Sequence, residues 1–431
     1  MSEDDAVGLM EELQARGFIA QTTAPQEELE KFFAEAPRTV YCGFDPTAES
    51  LHVGNLVPII GLRHFQRAGH RPIVVMGGAT GMVGDPSGKS SERNLLMADQ
   101  IERNLAGQRV QFERLLDFSG ANPAMIVNNY DWMKNFTLID FLRDVGKHFR
   151  MGEMLSKDSV KSRLDGEGMS FTEFSYQLLQ GYDFLHLWEQ EQCTAQLGGS
   201  DQWGNIVAGT ELIRRKHGSA SNSFGVTFPL LTTATGEKFG KSAGNAVWLD
   251  PEKTSPYQYY QYFIRADDRD VERLLLLLTF LPIEEIKAAA QAHTETPHQR
   301  EGQRLLAREM TRWAHGEAGL AKAEQASQAL FGGSIDGLSD ADLNDIFADV
   351  PSTAIAKAEL EAGIPLIQLL ADSGLCKSKG EARKLIQNGG AYVNNNKQTD
   401  IQAALNLGHL ASESMLVLRS GKKNYCLVRC E

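Results

Sequence analysis

The chain has 431 residues, 42% of them hydrophobic and 23% charged, the balance of a soluble globular protein with room for about three domains of roughly 150 residues each. Its longest apolar run, residues 274–278 with Phe280 and Leu281 after it, falls far short of the ~20 residues a membrane helix needs, and the acidic opening MSEDD argues against a secretory signal or a basic transit peptide. Five cysteines (42, 193, 376, 426 and 430) are odd in number and never form CxxC, which excludes a disulfide framework or a zinc finger and fits a reducing, cytoplasmic setting.

Residues 1–35 mix acidic and apolar positions (Leu9, Met10, Leu13, Phe18, Leu29, Phe32, Phe33) and predict amphipathic helices leading into a first strand that opens at Arg38-Thr39-Val40. The stretch YCGFDPTAESLHVGN, residues 41–55, comes next. It breaks at Asp45-Pro46, because the residue before a proline is turned away from helix, and gives way to an apolar-periodic helix from Leu51 to about Gln66. His52, Gly54 and Asn55 therefore sit at a strand-to-helix switch, where free N–H groups suit a phosphate. His52 and Asn55 each carry a donor, and Gly54 lets a flat base lie close to the backbone. On spacing alone, a single histidine at a helix start is more often a cap or a packing residue.

Residues 73–76, IVVM, read as a strand buried on both faces of a parallel sheet, and the β–α–β order predicts a doubly wound nucleotide-binding domain. Beyond them lies GGATGMVGDPSGKSSER, residues 77–93. GxGxxG is absent, and the P-loop pattern would need a glycine where Val83 stands. The segment is still a glycine-rich turn at a strand end, with Asp85, Lys89 and Arg93 bringing charge. Residues 94–118 and 136–155 are helical by pattern. Phe136, Ile139, Leu142, Val145 and Phe149 make an apolar stripe that either faces the core or forms a subunit interface.

Phe171 to Leu187 is another helix, and Tyr176, Gln180 and Asp183 share one of its faces. A phenol, an amide and a carboxylate in a row either meet solvent or line a polar pocket. LGGSDQWGN, residues 197–205, is a second strand end running into a polar helix start. Residues 228–231 read as the last strand of the sheet. The polar run after it leads to Lys238-Phe239-Gly240-Lys241-Ser242, which is either a lid over phosphates or an ordinary surface loop. Residues 255–330 are helical, broken at Asp267-Asp268 and at Pro297. Residues 331–350, rich in Gly and Asp, read as a linker with room for one short helix.

The last 80 or so residues predict a small α+β unit. Ser378 and Glu381 form a capping box for a helix over 379–387, and a strand at 391–393 is turned by Asn394-Asn395-Asn396. Residues 351–431 hold ten Lys/Arg against seven Asp/Glu, a net +3, whereas the whole chain is −13. The other residues therefore carry −16. Lys377, Lys379, Arg383 and Lys384 cluster on the basic tail, as they would to meet a polyanion or simply to face water.

Together these features resemble the bacterial-type tyrosyl-tRNA synthetases, a class I aminoacyl-tRNA synthetase family, over nearly the whole chain. HVGN at 52–55 resembles the HIGH signature and KFGKS at 238–242 the KMSKS signature. YCGFDPTA, GDPSGKS, FTEFSYQLLQGYDF and GGSDQWGN resemble motifs of the tyrosine enzyme in particular, and SGLCKSKGEARKLIQNGGAYVNN resembles the RNA-binding module shared with ribosomal protein S-four. Asn55 stands for the second histidine of HIGH. Phe239 and Gly240 stand for Met and Ser of KMSKS, with both lysines kept.

The resemblance implies a Rossmann-like α/β catalytic domain with a doubly wound parallel sheet over 1–250, an α-helical domain over 251–330, a linker over 331–350 and an S-four-like RNA-binding domain over 351–431. It implies activation of L-tyrosine by ATP and transfer to tRNA(Tyr) in the cytoplasm, by a homodimer. Mg2+ travels with ATP, and no metal-ligand cluster appears in the sequence. It further implies phosphate-side roles for Thr47, His52, Asn55, Lys89, Arg93, Lys238, Lys241 and Ser242. Tyr41 and Asp183 go to the phenol, and Tyr176, Asp85, Gln180 and Gln202 to the ammonium end. Gly43, Asp45, Gly54, Gly199 and Asp201 go to the nucleotide, and Lys377, Lys379, Arg383 and Lys384 to RNA. Two other readings of the same residues are an adenylating enzyme that uses no RNA and an RNA-binding protein on a silent scaffold. The lysines at 238 and 241 disfavour the second of these, and the basic tail disfavours the first.

Overall fold

Six strands build the sheet that positions the candidate site: β1 (Gln21–Thr22), β2 (Thr39–Phe44), β3 (Arg71–Met76), β4 (Met125–Asn128), β5 (Cys193–Gly199) and β6 (Phe224–Phe228), in the order β1-β6-β5-β2-β3-β4. The computed structural model describes residues 8–87, 96–164, 166, 168–236, 239–242 and 245–431. They divide into two units, residues up to 250 with 266–306, and 251–265 with 307–431.

In the first unit β2, β3, β4, β5 and β6 run parallel, and β1 closes one edge antiparallel to β6. The chain winds outward from β2 through β3 to β4, returns to the other side of β2 as β5, and then winds out to β6. That reversal is a topological switch point between β2 and β5, and the carboxyl ends of such a strand pair open a crevice for ligands. The helices between the parallel strands are α1 (Leu56–Arg67), α2 (Ala98–Leu115), α3 (Phe171–Glu191) and α4 (Trp203–His217). Helix α3 starts where Ser170 accepts a hydrogen bond from the Glu173 N–H and stops at Gln192, whose φ of 53° is left-handed. The shared floor of α3, α4 and the sheet buries Tyr41, Ile73, Val75, Phe184, Leu187, Cys193 and Leu212.

Three local expectations are revised. The last strand is β6 over Phe224–Phe228, not 228–231, because Pro229 has no N–H to continue the ladder. The segment 136–155 is not one helix. Thr137 caps Leu138–Asp144, a 3-10 turn covers Gly146–His148, and Met151–Ser156 is separate. Helix α1 begins at Leu56 after a 3-10 turn, Val53–Asn55.

In the second unit, a five-stranded sheet orders Asn396–Gln398, Ala391–Val393, Met415–Ser420, Asn424–Cys430 and Ser352–Ile355. The hairpin between the first two turns on Asn394 and Asn395, both at positive φ (49° and 62°). Ser378 Oγ accepts from the Glu381 N–H at 3.2 Å, but Glu381 reaches back to the Lys377 N–H at 2.7 Å rather than to the Ser378 N–H. Residues 331–350 contain helix Asp340–Ile346, capped by Ser339. Ile335, Leu343, Ile346 and Phe347 are buried with Met415, Val417, Tyr425 and Leu427.

Candidate active site

The crevice is lined by the chain segments just past β2, β3, β4 and β5, and by one face of α3. Beyond the end of β2, Asp45 Oδ1 accepts from Thr80 Oγ1 at 2.8 Å, and its Oδ2 accepts from the Tyr176 hydroxyl at 2.8 Å. Gly77 makes this meeting possible: a Cβ there would lie 2.2 Å from Asp45 Oδ1 and 2.6 Å from Thr80 Oγ1. Burial raises the pKa of Tyr176 well above the ordinary phenol value, with the charges of Asp45 and Asp85 adding to it. Asp85 accepts from Gln202 Nε2 at 2.7 Å and from the Ser87 N–H at 3.0 Å, with Asn205 Nδ2 at 3.4 Å. The corners after β3 and β5 are thus tied to one another. Two carboxylates around a buried phenol make an environment that suits an ammonium group. Gln180 lies half-buried on α3 between Tyr176 and Asp183.

Deeper in, Asp183 is 4% exposed. Its Oδ2 accepts from Asn129 Nδ2 at 3.0 Å and its Oδ1 from Trp132 Nε1 at 2.8 Å. Burial pushes its pKa up to about 7, against the pull of those two donors. Tyr41, on β2, is 1% exposed, and its ring lies 5.3 Å from that of Phe184. Burial, with the charge of Asp183 next in size, raises its pKa well above the usual value. Its hydroxyl is buried with no hydrogen-bond partner among the described residues. Such a group is costly to leave unpaired, so a ligand hydroxyl is well received there.

A hydrogen-bonded string joins the two ends of the pocket. Asn129 donates to Asp183 and to Thr80 Oγ1, each at 3.0 Å, and Thr80 donates to Asp45. Asn129 Oδ1 accepts from the Ala79 N–H at 2.7 Å, which fixes the amide's orientation.

At the strand-to-helix corner, His52 Nδ1 accepts from the Gly54 N–H at 3.0 Å, and Asn55 Oδ1 accepts from the His52 N–H at 3.0 Å. With Nδ1 an acceptor, the neutral ring carries its proton on Nε2 and can donate from there. Asn55 holds the corner through its oxygen and keeps its NH2 as a donor. The segment after the KFGKS loop pairs with this corner: the Val53 N–H donates to Val247 O at 2.9 Å, the Leu249 N–H to Leu51 O at 2.9 Å and the Val247 N–H to Gly240 O at 3.0 Å. Phe239 is buried. The backbone at Lys241 and Ser242 pairs with Asn245–Ala246. Lys89, Arg93 and Lys238 lie outside the described residues. Gly43 and Thr47 are exposed at the end of β2 and beyond it, and Gly199, Asp201 and Gln202 sit at the end of β5.

A model of the class I tRNA synthetases (W and Y) matches residues 34–332, and one of the tyrosine–tRNA ligase SYY-like C-terminal domain matches 342–428. The chain belongs to the bacterial-type tyrosyl-tRNA synthetases. The tyrosine–tRNA ligase of Rhodopirellula baltica is 49% identical over 425 residues, 98% of this chain and 96% of that protein. That of Bacillus caldotenax is 51% identical over 422 residues, 98% of this chain and 99% of that protein. The crystal structure of a C-terminally truncated Aspergillus nidulans mitochondrial tyrosyl-tRNA synthetase superposes with a TM-score of 0.69 at 32% identity, covering 76% of this chain and 96% of that one.

For a synthetase of this family, sequence reasoning overlooks Thr80, Asn129, Trp132 and Asn205. Asn129 and Trp132 carry a usable signal. NNYDW overlaps the end of β4, and side chains at the carboxyl end of a parallel strand face the crevice.

Proposed function

We infer that the chain activates L-tyrosine with ATP, forming tyrosyl-adenylate and pyrophosphate, and then transfers the tyrosyl group to the 3′ end of tRNA(Tyr). The observation that carries the tyrosine reading is the buried Tyr41 hydroxyl, without a partner among the described residues, beside an Asp183 oriented by Asn129 and Trp132. The pair offers a donor and an acceptor to a phenol, and an indole would use them poorly. The ammonium end belongs to Asp85, Tyr176, Gln180 and Gln202, with Asp45 behind Tyr176.

The nucleophile of the first step is the tyrosine carboxylate, an anion at neutral pH, so the step needs no general base. Catalysis then rests on placing that carboxylate against the α-phosphate and on stabilising charge that builds on the phosphates. His52, through Nε2–H, and Thr47, Asn55, Lys241 and Ser242 are the residues we assign to that charge, with Lys89, Arg93 and Lys238. Gly43, Asp45, Gly54, Gly199 and Asp201 take the nucleotide, which enters as its Mg2+ complex. Lys377, Lys379, Arg383 and Lys384 are all exposed on or beside helix α5 (Lys379–Gln387), and we assign them to RNA phosphates. Adenylation thus belongs to the first unit and tRNA capture chiefly to the second.

The homodimer is proposed on the exposed apolar side chains of helix Leu138–Asp144, where Leu138 is 71% and Ile139 69% exposed. Among the described residues no helix is long and apolar enough to cross a membrane, and we place the enzyme in the cytoplasm. Tyrosine-dependent exchange of pyrophosphate into ATP, followed by charging of tRNA(Tyr), tests the whole reading. Exchange driven by tryptophan but not tyrosine overturns it.

A further inference from the structure

The carboxylate of Asp183 takes one of its two side-chain hydrogen bonds from Trp132, and the indole ring of Trp132 lies flat against one ring neighbour. Trp132 sits in the short helix Tyr130–Met133 just past β4 and is only half-buried. Its indole N–H donates to Asp183 Oδ1 at 2.8 Å. The indole ring stacks on the imidazole of His186, with centroids 4.4 Å apart and planes 19° from parallel. His186 stands three residues after Asp183 on α3, so one helical face carries both the carboxylate and the platform that orients its donor. The Tyr182 ring also lies 6.1 Å from His186, tilted to it, and is itself packed edge-on by Phe136 at 4.9 Å.

We propose that His186 is a positioning residue for tyrosine selection: by stacking on Trp132 it aims the indole N–H at Asp183 and so holds the carboxylate where the substrate hydroxyl must meet it. His186 touches neither substrate nor reacting atoms. Its side chain works as a flat surface, and burial lowers its pKa, so at neutral pH the ring is uncharged. An aromatic stack of this kind is worth about 0.5–1.5 kcal/mol beyond its buried area, which is roughly 2- to 12-fold in an equilibrium constant.

The proposal rests on the assignment of Asp183 to the phenol, and the experiment separates the two. In the full-length enzyme, His186→Ala and His186→Phe are compared by pyrophosphate exchange with tyrosine and with phenylalanine. His186→Ala should raise KM for tyrosine about 3- to 10-fold, leave KM for ATP unchanged and narrow the tyrosine-to-phenylalanine ratio of kcat/KM by a similar factor. His186→Phe, which keeps a flat ring, should restore both values to within about twofold. Equal losses toward tyrosine and ATP in His186→Ala, an unchanged ratio, or a His186→Phe variant no better than alanine would each overturn it. If the alanine variant does not fold, His186→Leu, which fills the space without a stacking plane, takes its place with the same expected outcomes. A wild-type enzyme that shows no tyrosine-dependent exchange refutes the functional reading instead.

Discussion

Gly240→Ala tests the contact between the KFGKS loop and the HVGN corner. Gly240 has φ +94°, and a Cβ built there would lie 2.9 Å from the Gly54 nitrogen and 3.5 Å from Gly54 Cα and Val53 C. Both features oppose a side chain. A positive φ costs an L-residue about 1–2 kcal/mol. The close atoms are backbone, anchored by the bond from Val53 to Val247, and cannot rotate away. Together the penalty for keeping the loop against the corner is about 2–3 kcal/mol, or roughly 30- to 150-fold in rate. The loss should fall on kcat/KM for ATP in pyrophosphate exchange, with tyrosine binding unchanged. Gly236→Ala is the control: its φ is +85°, but nothing lies within 4 Å, so it bears the backbone cost alone and should lose no more than about 30-fold. A Gly240→Ala enzyme within about threefold of wild type toward ATP, or one no worse than Gly236→Ala, refutes the reasoning.

Lys241→Ala should slow adenylate formation more than ~100-fold in pre-steady-state measurements, as loss of one preorganised charge-stabilising donor does, without weakening tyrosine binding. Tyr41→Phe removes the unpaired buried hydroxyl and should narrow tyrosine-to-phenylalanine discrimination by roughly tenfold or more, the cost of one buried hydrogen bond. Asp183, pushed up to about 7 by burial, must be ionised to accept the phenol O–H, so kcat/KM for tyrosine should fall as pH drops below about 7. Because that pKa lies above the unfolded value of about 3.9, ionising the folded carboxyl costs stability as pH rises from about 4 to about 7. Asp183→Asn should therefore gain in Tm relative to wild type between about pH 5 and pH 8. A chain ended after Asp349 should still make tyrosyl-adenylate but lose most charging at sub-saturating tRNA. It should also lose cooperative melting of the second unit, since Leu343, Ile346 and Phe347 lose Met415, Val417, Tyr425 and Leu427.

Part of the site is legible in the sequence because many of its residues lie in two short stretches, 41–55 and 197–205, each a strand end entering a helix, while Tyr176, Gln180 and Asp183 share a face of one helix. Such corners announce themselves through Gly, Asp and a break in apolar periodicity. Their adjacency is not legible, since it depends on β5 returning beside β2, a long-range pairing that no local pattern encodes. The same limit hides β1, two residues long and present only because β6 offers an edge. The resemblance assigns Asp45 to the nucleotide, and no local pattern reveals that its carboxylate also accepts from Tyr176 and Thr80. Asn129 escapes notice because an asparagine after a strand reads as a turn residue until its three hydrogen bonds are seen. The Phe-Gly-Val-Thr-Phe of β6 is masked because Gly225 and Thr227 resemble a turn, while the proline that ends the strand sits inside an apolar run.

The string Asp45–Thr80–Asn129–Asp183 gives this arrangement a physical logic that its separate residues do not. In the function we propose, Asp45 and Asp85 stand at the ammonium end of the substrate and Asp183 at its hydroxyl end, and Asp45 and Asp183 are tied to one another through buried bonds of 2.8, 3.0 and 3.0 Å. Thr80 and Asn129 are nearly inaccessible to water, so the spacing between the two ends is fixed before the substrate arrives. In the reaction we propose, an amino acid that fills both ends presents its own carboxylate at a fixed place, and His52 and Asn55 are assigned to the phosphate it meets there. Because that carboxylate is already a competent nucleophile, fixing its position accounts for a large share of the catalysis, and the rest falls to the charge gathered around the phosphates. A site of this design needs rigid spacing on the amino-acid side and a defined contact on the nucleotide side. The buried string supplies the first, and the backbone bonds that lay Gly240 and Val247 against HVGN, with Phe239 buried, supply the second.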